Sequence, residues 1–151
     1  MVVELVRRNE PELVRRIVQI EAEAFGAGGL NEWILVPLIR HGRVFCLTQK
    51  GEILGSVQYM LDWDTPSRAY MVGVSITKAM RGRGLGTELL KESFIALNKD
   101  NIVEVELTVD RANTAAIEVY QRKLGFSVLD YRENEYGAGE HRLVMRRLLP
   151  D

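Results

Sequence analysis

The chain has 151 residues, 46% of them hydrophobic and 27% charged, which is one domain's worth of sequence, able to bury about two thirds of its unfolded surface in a single core. Its formal net charge of -1 excludes a global pull toward nucleic acid or anionic membrane, so any basic patch must be local. With one cysteine, Cys46, an intrachain disulfide is impossible and a reducing, cytoplasmic setting is expected.

The N-terminal "VVELVRR" alternates as a strand. Asn9, with Pro11 just inside and Glu12 three residues on, marks a helix start. Leu13, Ile17, Ile20 and Ala24 carry that helix at spacings of four, three and four. It ends in "FGAGGLNEW", a flexible joint before a second helical segment from Asn31 to Arg40. "RVFCLTQKGEILGSVQYML" holds two strand runs around Lys50-Gly51, a hairpin signal. Cys46 lies in the first run and reads as a small buried hydrophobe. "RAYMVGVSIT" is a further strand, followed at once by a glycine-rich loop and a helix. "NIVEVELTVD" alternates from Ile102 to Val109, and "NTAAIEVYQRKLGF" is a short helix with Ala116, Tyr120 and Leu124 on one side. Two last strands near "FSVLDYRE" and "EHRLVMRRL" flank "NEYGAG". The order β-α-α-β-β-β-α-β-α-β-β belongs to the α/β class, a mixed sheet with helices on both faces, and residues 1–151 are expected to form a single domain. There is no signal-peptide pattern and no apolar run of about 18 residues, so no membrane partner is expected. His41 and His141 stand apart from any acid or cysteine cluster at ligand spacing, so no metal is expected.

The loop "KAMRGRGLGTELLKESF", residues 78–94, carries most of the chemical information. Glycines there allow the chain to bring its amides close to a ligand. Leu85, Leu89, Leu90, Phe94 and Leu97 then recur as one buried helical stripe. The first helical turn presents unpaired N–H groups and the positive end of the dipole, with Arg81 and Arg83 adding charge. The sum is an anion site suited to a phosphate or pyrophosphate; a plain solvated turn before a helix is the alternative. No P-loop string occurs, and Thr87 stands where a dinucleotide fingerprint needs its third glycine. The spacing that fits is R-x-x-G-x-G, Arg81 to Gly86. Strand, loop, helix and following strand form one βαβ unit, with the anion site beyond the carboxyl end of a strand.

"VGVSITKAMRGRGLGTELL" followed by "VELTVDRANTAAIEVYQRKLGF" resembles the GNAT superfamily of acetyl-CoA dependent N-acetyltransferases, over nearly the whole chain. The resemblance implies that the backbone of Arg81, Gly82, Arg83, Gly84, Leu85, Gly86 and Thr87 cradles the coenzyme A pyrophosphate. It implies that Val74, Ser75 and Ile76 splay from their neighbour and bond the pantetheine arm. Asn113 would contact the pantetheine or cap its own helix. Tyr120 matches the family's tyrosine near the leaving sulfur; a tyrosine packed in the core is the alternative. The activity implied is transfer of an acetyl group from acetyl-CoA, as co-substrate, to a primary amine by direct attack in a ternary complex. A catalytically silent acetyl-CoA-binding module and a nucleotide-binding protein are the alternatives. A peptide N-terminus or a small-molecule amine is the expected partner, and a homodimer stays open.

Two departures stand out. Four residues, "QRKL", separate Tyr120 from Gly125-Phe126 where many members have three, and the extra one is expected to lengthen the helix end. Relatives carry a glutamate on the strand before the loop or on the strand after it; here Tyr70 and Thr108 stand at about those places, and no general base is assigned. Glu32, Glu106 and Glu135 are the candidates for a distant one, each also readable as an ordinary solvated carboxylate. The loss matters by acceptor: at pH 7 a lysine-like amine of pKa ~10.4 is under about 0.1% neutral, an α-amine near ~7.8 over about 10%. Low-pKa amines are therefore favoured. Glu32, Trp33 and Tyr136, with Asp62 or Asp64, are expected to shape the acceptor site.

Overall fold

A computed structural model describes residues 1–150. Seven strands and four α-helices follow one another in the expected order: β1 Val2–Leu5, α1 Pro11–Phe25, α2 Glu32–His41, β2 Arg43–Gln49, β3 Glu52–Leu61, β4 Arg68–Ile76, α3 Leu85–Lys99, β5 Glu104–Val109, α4 Thr114–Glu118, β6 Ser127–Arg132 and β7 Arg142–Leu148. By hydrogen-bonded neighbours the strands run β1-β2-β3-β4-β5-β7-β6. The sheet is mixed, because β4 and β5 are parallel while β1–β2, β2–β3, β5–β7 and β6–β7 are antiparallel. The chain forms two compact units, Met1–Met60 with Met71–Ser93, and Leu61–Tyr70 with the residues from Phe94 on.

In the first unit, α1 and α2 lay Val14, Ile17, Leu35, Leu38 and Ile39 onto Val44 and Cys46 of β2. The apolar stripe of α1 thus becomes core, as its period requires. The start of α1 differs from expectation. Its capping position is Glu10, which makes no side-chain cap, and Asn9 instead accepts a hydrogen bond from Arg40 of α2. Pro11 supplies the helix start on its own, since its fixed φ suits the first helical position. At α2, by contrast, Asn31 caps directly, its side chain accepting from the Trp33 amide at 3.1 Å.

In the second unit, the β4–β5 ladder covers three positions, Arg68–Tyr70 against Glu104–Glu106; β4 runs on to Ile76 beyond it. β7 pairs with β5 on one side and β6 on the other. The aromatic part of this core is a chain of rings, with Phe94 6.0 Å from Phe126 and Phe126 5.7 Å from Tyr120. The helix carrying Tyr120 ends differently from expectation. Its α-helical part stops at Glu118 and the chain widens into a π-helical turn, Val119–Lys123. The extra residue is absorbed within the turn that bears Tyr120, which is how a one-residue insertion is held without shifting a helix register. The Phe126 amide closes the turn on the Tyr120 carbonyl at 2.9 Å.

Candidate active site

The anion loop begins where β4 ends. After a short 3₁₀ turn at Lys78–Met80, Gly82 and Gly84 adopt φ of +79° and +75°, and a Cβ at either would meet nothing within 4 Å. Both positions therefore demand glycine for backbone reasons while leaving the space beside them open. The first amide closed by α3 is that of Glu88, bonded to the Gly84 carbonyl at 3.1 Å. The amides of Leu85, Gly86 and Thr87 lie ahead of it in the open first turn. Arg83 is exposed. Arg81 folds its Nε back onto the Ile76 carbonyl at 3.1 Å, so its charge braces the end of β4. Glu23 of α1 anchors the loop's approach by accepting from the Lys78 amide at 3.0 Å and the Thr77 hydroxyl at 3.3 Å. The Lys78 amide is the largest cause holding that carboxyl below its usual range.

On β4 itself, Val74 and Ile76 are half-buried and Ser75 is buried. The Ser75 Oγ is a buried side-chain oxygen left without a hydrogen-bond partner, an arrangement that costs about 1–3 kcal/mol unless a ligand or water supplies one. Glu21 of α1, only 1% exposed, lies beside the same strand. Gln58 of β3, with its amide nitrogen turned toward Glu21, donates to the Glu21 carboxylate at 3.1 Å and to the Gly73 carbonyl at 3.0 Å, and accepts from Ser56 at 2.8 Å. Burial pushes the Glu21 carboxyl up to about 7, against a smaller opposing pull from Gln58. A Cβ at Gly73 would come within 3.0 Å of Gln58 and 3.3 Å of Glu21. Glu32 and Trp33 are exposed at the start of α2, Trp33 at 82%.

The second unit holds a hydroxyl cluster. Tyr70 OH lies 2.8 Å from Thr108 Oγ1 and 3.3 Å from Tyr136 OH, and Thr108 is 3.5 Å from Tyr136. Both positions where a glutamate was sought thus belong to one cluster, with Tyr136 joined to it. Burial, then Tyr136 and Glu106, raise the Tyr70 phenol, with the Thr108 bond opposing; it stays a neutral donor and acceptor. The Arg142 guanidinium sits 5.0 Å from the centre of the Tyr136 ring, a cation–π contact that steadies an otherwise exposed side chain. Glu106 is buried but held by Arg146 at 2.7 Å, Arg132 at 3.9 Å and Arg68 at 4.0 Å. Glu135 pairs with Arg132 at 2.9 Å, and Asp62 with Arg68 at 3.2 Å. Each of these carboxylates is thus already taken up as an ion-pair partner. Tyr120 is half-buried against Phe126, and burial raises its phenol. Asn113 caps α4, its Oδ1 accepting from the Ala116 amide at 3.2 Å, which leaves its Nδ2 as a donor.

Sequence reasoning passed over Glu21 and Gln58. The signal was present in α1, where an acid four residues after Ile17 occupies a position of the buried stripe.

A family model described as the acetyltransferase (GNAT) family matches residues 12–126. Among curated proteins, the chain is 28% identical over 92 residues to an N-terminal acetyltransferase complex ARD1 subunit homolog of Dictyostelium discoideum, covering 60% of this chain and 45% of that protein. It is 29% identical over 105 residues to an N-alpha-acetyltransferase of Sulfurisphaera tokodaii, covering 63% of this chain and 62% of that one. The matches thus span less than two thirds of either relative's length. Among solved structures, the ribosomal-protein-S18-alanine N-acetyltransferase from Escherichia coli superposes with a TM-score of 0.80 at 22% identity, over 99% of this chain and 96% of that one.

Proposed function

The chain belongs to the acetyltransferase (GNAT) family, and from that premise we propose that it moves the acetyl group of acetyl-CoA to a primary amine in a ternary complex, with a peptide α-amine as the preferred acceptor and a small-molecule amine as the other. The observation that carries this is the loop at Gly82 and Gly84, where two positive-φ glycines with open space beside them lead into the amide-bearing first turn of α3. It has the form of a pyrophosphate cradle. On β4, which leads into this loop, the buried Ser75 hydroxyl is left without a partner.

Acetyl-CoA supplies the activated acetyl group. The residues of this chain do the rest. The amides of Gly82 to Thr87 hold the pyrophosphate, and the backbone of Val74–Ile76 aligns the arm. Tyr120 offers its O–H to the sulfur as negative charge develops there. Tyr70, Thr108 and Tyr136 form a path of three hydroxyls, each able to accept one proton while releasing another, from half-buried Tyr70 to Tyr136 at 62% exposure. Such a path carries the amine's proton to water without a carboxylate. It serves an amine that is already partly neutral, which favours an α-amine over a lysine side chain. The two curated relatives, both named for N-terminal acetylation, favour the same acceptor.

We further propose that both units act as one N-acetyltransferase domain, since the family match runs through both, and that the enzyme works in the cytoplasm, where its buried thiol Cys46 stays reduced. A thiol-release screen with acetyl-CoA tests the reading. Short peptides with free N-termini should release coenzyme A faster than N-blocked lysine peptides. If neither peptides nor small-molecule amines release coenzyme A above the amine-free rate, the reading is overturned.

A further inference from the structure

The β6–β7 ladder ends at the pair Arg132 and Arg142, so the loop between them closes on something other than strand pairing. Two side chains do it. The Asn134 amide donates to Nδ1 of His141 at 3.0 Å, and the Gly139 amide donates to Oδ1 of Asn134 at 2.9 Å. The backbone of the loop is wound on the same asparagine. The Gly137 amide donates to the Asn134 carbonyl at 3.2 Å, the Glu140 amide to the Gly137 carbonyl at 3.0 Å, and the Tyr136 amide to the Glu140 carbonyl at 3.3 Å. Asn134 takes φ +54°, a left-handed conformation that asparagine tolerates better than most residues. It opens the turn Asn134–Gly137, in which Tyr136 stands one residue before the end. What fixes Asn134 therefore fixes Tyr136, whose hydroxyl lies 3.3 Å from Tyr70 and 3.5 Å from Thr108.

His141 is placed to be that fixed point. Its ring lies 5.8 Å from the Tyr131 ring of β6, which itself carries the Arg111 guanidinium 5.0 Å from its centre. A neutral imidazole has one accepting nitrogen, so with Nδ1 accepting from Asn134 the ring proton belongs on Nε2. Its backbone is held as well, because the His141 carbonyl accepts from Arg142 at 2.8 Å. Arg142 bonds Glu140 at 3.2 Å and lies against the Tyr136 ring. The loop is thus gripped at its end by Arg142 and at its first turn by His141.

We propose that His141 is a positioning residue for acetyl transfer: its Nδ1 holds Asn134, Asn134 sets the turn, and the turn delivers the Tyr136 hydroxyl to Tyr70 and Thr108. This rests on the reading of those three hydroxyls as the proton path. His141 acts through Tyr136 and not on the acceptor itself.

The experiment measures kcat/KM for a peptide amine at saturating acetyl-CoA and one pH. His141→Leu removes the accepting nitrogen, and His141→Asn supplies an accepting oxygen on the same Cγ that carries Nδ1 in histidine. The leucine variant should lose about fivefold and the asparagine variant should stay within about twofold of the parent, since one ordinary hydrogen bond separates them. An asparagine variant that loses as much as the leucine variant overturns the proposal. A double-mutant cycle tests the route: in a Tyr136→Phe background, which lacks the hydroxyl that His141 serves, His141→Leu should cost less than about twofold more. The full fivefold loss in that background overturns the proposal. NMR of the parent reads the contact without any variant, and the His141 imidazole should carry its proton on Nε2; a ring protonated on Nδ1 overturns the proposal whether or not His141→Leu folds. Tyr136→Phe at the parental rate overturns the hydroxyl path and the part of His141 with it. A loss in Tyr136→Phe with none in His141→Leu leaves the path standing and overturns His141 alone, so the two failures are distinguishable.

Discussion

The anion loop of the first unit and the hydroxyl cluster of the second solve different problems with different parts of the chain. At Gly82–Thr87 the working groups are backbone amides, and the side chains matter chiefly by being absent. At Tyr70, Thr108 and Tyr136 the working groups are side-chain hydroxyls contributed by β4, β5 and the loop before β7, up to 66 positions apart in the chain. Backbone chemistry demands particular conformations over a few consecutive residues and so leaves a spaced motif. Side-chain chemistry demands only that three atoms meet. On the proposed function, the coenzyme would be held the first way and the acceptor met by the second.

The largest expected effect strikes the loop. Gly84→Glu places a carboxylate in the cradle, so acetyl-CoA binding should fall below detection by calorimetry, more than about a hundredfold weaker, through like-charge repulsion and occlusion together. Gly84→Ala separates the causes. It carries the strain of φ +75°, about 1–2 kcal/mol, without the charge, and should bind measurably. Affinity of the glutamate variant within a factor of two of the parent would remove the anion site altogether.

That contrast also accounts for what could be read from sequence. The element order, the hairpin at Lys50-Gly51 and the buried stripe of α3 follow from local period and turn chemistry, and each is present. The Asn9 cap failed because Arg40, thirty-one residues away, competes for its side chain. The π-helical turn at Val119–Lys123 was missed because an extra residue in a helix has two outlets, a longer end or a wider turn, and only the closure of Phe126 on Tyr120 decides between them. Glu21 was missed because an acid on an apolar stripe has meaning only once Gln58, from another element, is found opposite it. Glu106 was visible as a candidate base, but the three arginines around it come from β4, β6 and β7.

Next in size is Tyr120→Phe. A hydrogen bond that grows only as sulfur charge develops lowers the barrier and not the binding, so kcat should fall by on the order of 10² to 10⁴ with coenzyme affinity nearly unchanged. The ring contacts with Phe126 survive the change, so thermal stability should hold. Full parental turnover would make Tyr120 a packing residue only.

Glu21 sharpens the comparison from the side of stability. Burial pushes its folded carboxyl up to about 7 from the ordinary 4.5 of an exposed one, so the folded state holds the proton more tightly. Below pH 4.5 both states are protonated and nothing is lost. As pH rises from there to about 7 the folded state is progressively penalised, by about 3 kcal/mol at full ionisation. Denaturant melts across that window should show the parent losing stability relative to Glu21→Gln. Parallel curves would show that Glu21 is already ionised well below neutrality.

The smallest effect falls on the hydroxyl cluster, and it tests whether the cluster replaces a base. Thr108→Val keeps the shape of the side chain and removes its oxygen, leaving Tyr70 its 3.3 Å contact with Tyr136. One of two routes for the proton remains, so kcat/KM should drop only about tenfold, below the usual full contribution of a general base. The pH profile gives the sharper reading when recorded at saturating acetyl-CoA, where the pH dependence of coenzyme binding no longer enters. In the parent, the rising limb should follow the acceptor: compare an α-amine of pKa ~7.8 with a weaker base, and the limb should move with the amine's own ionisation. Thr108→Glu then installs a carboxylate beside Tyr70, and a limb that stays at one pH for every acceptor should emerge, with the gain greatest for the least acidic amines. If the parent already shows such a fixed limb, a protein base is at work and the three hydroxyls are structure, not a proton path.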